Sequence, residues 1–274
     1  MLTGPPTDGR PLSGRRGYRS GVHPYAWSVD AEAVFLVPAL TVGYLAAVQV
    51  FPAARPRVVA FLLGQLLLLA VFATPVETLA LHYLLSAHLL QNVVLADWAP
   101  ALCVAGLPPA LATRLGRVPA VRGLTRPLVA LPLWLATYFA WHVPWPYQTA
   151  LEHPTTLLHL EHLSYLATGA LLWWPVLHDA PRRLAAGAKA VYLFAAFVLA
   201  SPLGLLLALL PRPIYDFYER APRVWGLSAL ADQQLAGLSM ASEEAIVFFA
   251  LFAFFFLRFL SEEEPVLRLE RARP

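Results

Sequence analysis

The stretch AGAKAVYLFAAFVLASPLGLLLALL, residues 186–210, decides the class of fold. It carries one charge, Lys189, and as a helix it is long enough to cross bilayer hydrocarbon, which takes about 20 residues. Working outward, runs of the same kind lie near 30–51, 57–74, 77–99, 127–143, 156–177 and 229–260. The second and fourth of the seven are short, and the last is long enough to tilt or to begin outside the hydrocarbon. Prolines at positions 52, 56, 75, 144, 146, 154, 181, 211 and 213 punctuate the connections. Composition agrees: 58% of residues are hydrophobic, mean hydropathy is +0.59, and the 14% charged is close to half of what a soluble domain carries. The expected fold is all-α, a polytopic seven-transmembrane-helix bundle over residues 29–261. Residues 1–28, rich in Gly, Pro, Arg and Ser, read as a flexible tail and not as a signal peptide. Residues 262–274 read as a charged cytoplasmic tail.

Orientation follows from where Lys and Arg fall. With seven spans, the N-terminal side holds Arg10, Arg15, Arg16, Arg19, Arg212, Arg220 and Arg223, seven of the 20 basic residues. The opposite side holds the other thirteen and is therefore the cytoplasmic one, which gives N-out and C-in. Basic residues sit singly or in pairs between apolar runs, against 17 acidic ones, so the pattern is no nucleic-acid footprint. Cys103 is the only cysteine, which excludes an intrachain disulfide and a thiolate cluster and reads as a small buried residue.

On this topology six of the eight histidines gather toward the outer ends of three consecutive spans: His82, His88, His142, His153, His159 and His162. Ionisable groups inside a bilayer are costly and tend to face a bundle interior. His159 and His162 share one helical face, and Glu161 between them points elsewhere, as an acceptor toward another helix. Counted from Glu77, His88 lies about 16 Å along the third span, with Asn92 one turn deeper on the same face. A single histidine at a membrane interface usually bonds a carbonyl or water, and the tryptophans at 98, 134, 141, 145, 173 and 174 read largely as an aromatic belt. The clustering of His88, His159 and His162 points instead to one site near the outer leaflet, with His142 as a fourth member. Imidazole suits copper, zinc, iron and haem alike. The last span adds a polar stripe of Asp232, Ser239 and Glu243, edged by Gln233, Met240 and Glu244. Its carboxylates are expected to face the bundle interior, and Ala236 and Gly237 within it permit close helix approach.

Four motifs in sequence carry a family resemblance. Ser86-Ala-His-Leu-Leu-Gln-Asn-Val-Val-Leu is followed by Trp98-Ala-Pro and Gly106-Leu-Pro. Then come Trp141-His-Val-Pro-Trp-Pro-Tyr, His159-Leu-Glu-His with Leu171-Leu-Trp-Trp-Pro-Val, and Asp232-Gln-Gln-Leu-Ala-Gly-Leu-Ser-Met. Over about residues 30–260 this order resembles the CtaG family of seven-helix cytochrome c oxidase assembly proteins. The resemblance implies a multi-pass protein of the bacterial plasma membrane that is an assembly factor and not an enzyme. It implies copper, as Cu(I), received from an extracytoplasmic donor and supplied to a haem–copper oxidase, at its subunit I. Carried over, the metal site comprises His88, His159, His162, His142, Met240 and Asp232. The sequence departs from the family at Asn92, where members often have a second histidine, and at Ala241, where an aromatic residue is usual.

Two other classes fit the residues. A bis-histidine haem electron carrier would use His88 with His162. An ion transporter would use Asp232, Glu243 and Glu244, although neither an inverted repeat nor paired broken helices are evident.

Overall fold

The apolar runs fold as helices, and proline opens half of the twelve among the described residues. The computed structural model describes residues 21–271, with side chains through residue 262. Residues 1–20 of the expected tail lie outside the described residues. The helices are α1 (Glu32–Val50), α2 (Arg55–Phe72), α3 (Pro75–His82), α4 (Leu85–Gly106), α5 (Pro109–Leu115), α6 (Pro119–Leu124), α7 (Pro127–His142), α8 (Pro144–Glu152), α9 (Leu157–Leu177), α10 (Ala186–Leu209), α11 (Asp216–Arg220) and α12 (Ala229–Arg271). Pro56, Pro75, Pro109, Pro119, Pro127 and Pro144 occupy the first turns of α2, α3 and α5–α8, where an N–H would have had no intrahelical partner. The described residues contain no strand. Five helices, α1, α2, α4, α10 and α12, are long and apolar enough to cross a membrane. Between them in the chain lie α7, of 16 residues, and α9, of 21.

The third span differs from the expected 77–99. The chain breaks at Tyr83 and Leu84, and the membrane-length helix begins afresh at Leu85 and runs to Gly106. Neither Gly nor Pro marks the break. It is held from the far end of the sequence, by Asp232 of α12. The Asp232 carboxylate accepts from the backbone N–H of Leu85 at 2.7 Å, from that of Ser86 at 3.1 Å, and from the Ser86 hydroxyl at 2.6 Å. A helix start leaves its first N–H groups without intrahelical partners, and inside a membrane they need an acceptor from elsewhere. His88 therefore sits in the first turn of α4, not deep within a longer helix.

Packing begins earlier than residue 29. The Val22 carbonyl accepts from the Tyr83 hydroxyl, and the Ala26 carbonyl accepts from Thr78 Oγ1 at 2.7 Å. Tyr25 accepts from the Trp225 indole at 2.6 Å. At the other end α12 continues to Arg271, through most of the segment read as a tail. Helices α10 and α12 come into backbone contact through Gly204 and Gly237, as the small-residue stripe implies. A Cβ on Gly237 would stand 2.5 Å from the Gly204 carbonyl oxygen, so only glycine permits this crossing. The tryptophans do not form a belt. Trp134, Trp173 and Trp174 are buried, Trp98 and Trp141 donate inward to Glu243 and Ser164, and only Trp145 of the six is strongly exposed. Cys103 lies at the contact of α4 with α2, its sulfur accepting from Gln65 at 3.2 Å.

Candidate metal centre

Three buried imidazoles from α4, α7 and α9 are oriented in the same way. His88 Nδ1 lies 2.8 Å from the Tyr218 oxygen, and the Tyr218 hydroxyl already donates to the Ala80 carbonyl at 2.7 Å. The phenol oxygen is thus left to accept, so His88 carries its proton on Nδ1. His142 Nδ1 lies 2.7 Å from the Tyr138 carbonyl, which can only accept. His162 Nδ1 lies 3.1 Å from Glu32 Oε1. The partners place a proton on Nδ1 of all three rings, so that in the neutral imidazole each Nε2 keeps its lone pair. All three Nε2 atoms are buried without a hydrogen-bond partner. Metal-binding histidines are held in this manner, one ring nitrogen donating to a carboxylate, carbonyl or hydroxyl and the other presented to the ion.

The rings are neighbours. His88 and His162 have ring centroids 6.5 Å apart, and His88 and His142 lie 5.1 Å and 6.3 Å from the same Tyr147 ring. Glu161, fully buried, turns toward α4, where Asn92 donates to its Oε1 at 3.0 Å. The same oxygen lies 3.6 Å from His88 Nε2. A bare nitrogen lone pair facing a carboxylate oxygen is repulsive unless a proton on either group or another cation beside them relieves it. Below this layer Gln91 donates to Glu77 at 2.6 Å and to the Val71 carbonyl at 2.8 Å.

His159 belongs to the outer edge of the layer and is one-quarter exposed. Its Nδ1 lies 2.8 Å from Glu32 Oε1, the oxygen that also holds His162. Asp30 stands beside this group, and burial first, then the adjacent Glu32, push its carboxyl above the ordinary carboxylate range. Asp232 is engaged at the start of α4. Met240 is buried within the apolar core. His153 is exposed on the surface, and His178 bonds the Val104 carbonyl at the opposite end of α9. Among the sequence-derived candidates, the structure places His88 beside His162, sets His142 across the Tyr147 ring from His88, joins His159 to His162 through Glu32, and gives Asp232 a helix-capping role.

Sequence reasoning missed Glu32, Asp30 and Tyr218. Glu32 had a signal, being an acid at the head of an apolar run, where an unpaired carboxylate is costly. It lies in a π-helical turn, Glu32–Leu36, and a second such turn, Val94–Trp98, carries buried Asp97. Such turns are rare and recur at functional sites. Tyr218, on the short α11, had no signal. Replacing Tyr218 by Phe removes the acceptor of His88 Nδ1 while keeping the ring. If the layer holds a metal ion, its affinity is expected to fall about 10–100-fold, as for loss of other orienting partners, read by competition with a chelator.

A deeper polar layer surrounds α12. Glu243 accepts from Trp98 at 2.7 Å and Glu244 from the Tyr138 hydroxyl at 2.6 Å, with Asp97 buried nearby. Both Asp232 and Glu243 face the interior, as expected from the cost of carboxylates in lipid.

Among the described residues the fold is helical, with five helices long and apolar enough to cross a membrane and a polar interior that holds buried histidines from different helices. The model of the cytochrome c oxidase caa3 assembly factor family (Caa3_CtaG) matches residues 42–262, and the chain belongs to that family. No curated protein and no solved structure matches it. Membership implies cytochrome c oxidase as its partner and assembly of that oxidase as its role.

Proposed function

We propose that the protein binds Cu(I) at His88, His142 and His162 and supplies it to subunit I of its client oxidase during assembly. The observation that carries this reading is the set of three buried Nε2 lone pairs, each ring fixed through Nδ1. Cu(I) accepts low coordination by imidazole, and a site of three neutral ligands releases its ion more readily than a thiolate cage. In this reading all seven long helices span the membrane, α7 and α9 included, with the N-terminus outside. The histidine layer then faces an extracytoplasmic copper donor. Bis-histidine haem is poorly served by the same residues. Tyr147 and Phe72 pack at 5.1 Å and 5.0 Å from the rings of His88 and His162, against the space a porphyrin needs.

The test is copper analysis of the full chain purified in detergent. His88→Ala/His142→Ala is expected to lose Cu(I) affinity by more than about 100-fold, beyond what loss of one orienting partner causes, with oxidase assembly falling in parallel. Copper bound as in the wild type would defeat the proposal.

A further inference from the structure

The outer edge of the histidine layer holds a second cluster. The ligand atoms of Asp30, Glu32, His159 and His162 all lie within 4.8 Å of one another. Its hydrogen bonding is incomplete in a specific way. Asp30 Oδ1 accepts from the Ala31 N–H at 2.7 Å, and Glu32 Oε1 accepts from both imidazoles. Asp30 Oδ2 and Glu32 Oε2 are buried with no partner at all. Glu32 is only 4% exposed, and among the described residues neither acid pairs with a Lys or Arg. Two adjacent carboxylates with bare oxygens and only imidazoles for company form an electrostatically incomplete group.

Backbone contacts keep these residues in place. The Asp30 N–H donates to the Phe72 carbonyl at 2.9 Å, tying the segment before α1 to the end of α2. The partly exposed His159 leaves a route from the surface.

We infer that Asp30, Glu32 and His159 form a binding site for a divalent first-row cation at the mouth of the histidine layer, with His162 as the wall between the two. Mixed carboxylate and imidazole donors without sulfur suit Zn2+ and its neighbours, in contrast to the all-imidazole set within. Asp30 and Glu32 precede residues 42–262, the part of the chain that matches the family. The inference does not depend on copper binding at the inner histidines.

Zinc is the probe. The full chain in detergent is dialysed against buffered Zn2+ and its metal content measured, for the wild type and two double variants. His88→Ala/His142→Ala is expected to hold one equivalent at the outer site with the affinity that site has in the wild type, whether or not the inner histidines of the wild type take a second ion. Asp30→Asn/His159→Gln is expected to bind at least about tenfold more weakly. Asp30→Asn alone serves if the double variant does not elute as a single species. Wild-type affinity in the Asp30 variants overturns the site. Loss of zinc from His88→Ala/His142→Ala also overturns it, because the ion then belongs to the inner histidines. Failure of the copper reading shows separately, as Cu(I) retained by His88→Ala/His142→Ala whatever happens to zinc.

Discussion

Asp232→Ala is expected to destabilise the protein by several kcal/mol and to yield little folded material. The substitution strips an acceptor from two backbone N–H groups and one hydroxyl in a water-poor interior, each worth about 1–3 kcal/mol when left unsatisfied. The chain has no replacement, because the break at Tyr83 and Leu84 is not encoded by Gly or Pro. Asp232→Asn keeps one acceptor oxygen and is expected to lose roughly half as much. Thermal unfolding in detergent measures both. Copper content of the folded Asp232→Asn fraction separates the two roles considered for this residue. A helix cap leaves the content per folded molecule unchanged, whereas a metal ligand would lower it.

Gly169→Ala is expected to be nearly as severe. A Cβ there would stand 2.1 Å from the Ala96 carbonyl oxygen and 2.8 Å from Pro100 Cγ. The obstacle is the backbone of α4, within its π-helical turn, so no side-chain rotation relieves it. Helix α9 has to move away by about 1 Å, and overpacking of this kind typically costs about 1–3 kcal/mol. The same displacement carries His162, about two turns along α9, away from His88 on α4. Loss of stability and of metal affinity should therefore appear together. A variant that melts early but binds metal with unchanged affinity would show that α9 tilts without moving its outer end.

The helical, membrane-spanning character was legible because apolar length is a one-dimensional property. The placement of the histidines was legible in outline for a related reason: imidazoles are scarce in apolar runs, and six of the eight fall toward one side of the expected topology. The break before α4 was not legible, since it is imposed by a residue 147 positions away. That break also changes the depth argument. His88 lies in the first turn of its own helix and not about 16 Å along a continuous one from Glu77. Membership of the site turned on hydrogen-bond partners that spacing does not reveal. His159 and His162 share a helical face, yet one opens outward and the other turns its Nε2 inward. Glu161, between them in sequence, reaches α4 through Asn92, the position where the family often has histidine. An amide there donates to the carboxylate that lies beside His88, so the departure from the family pattern has a definite structural use.

Tyr138 belongs to both polar layers at once. Its hydroxyl donates to Glu244, and its carbonyl holds the Nδ1 proton of His142. One residue of α7 is thus a shared boundary between the histidines and the carboxylates of α12. If a cation at Glu244 alters the affinity of the histidines for an ion, thermodynamic reciprocity requires that ion to alter the affinity for the cation at Glu244 by the same factor and in the same direction. Loading and unloading of the metal would then be written into the ionic state of the deeper layer, and either end of the bundle would report on the other.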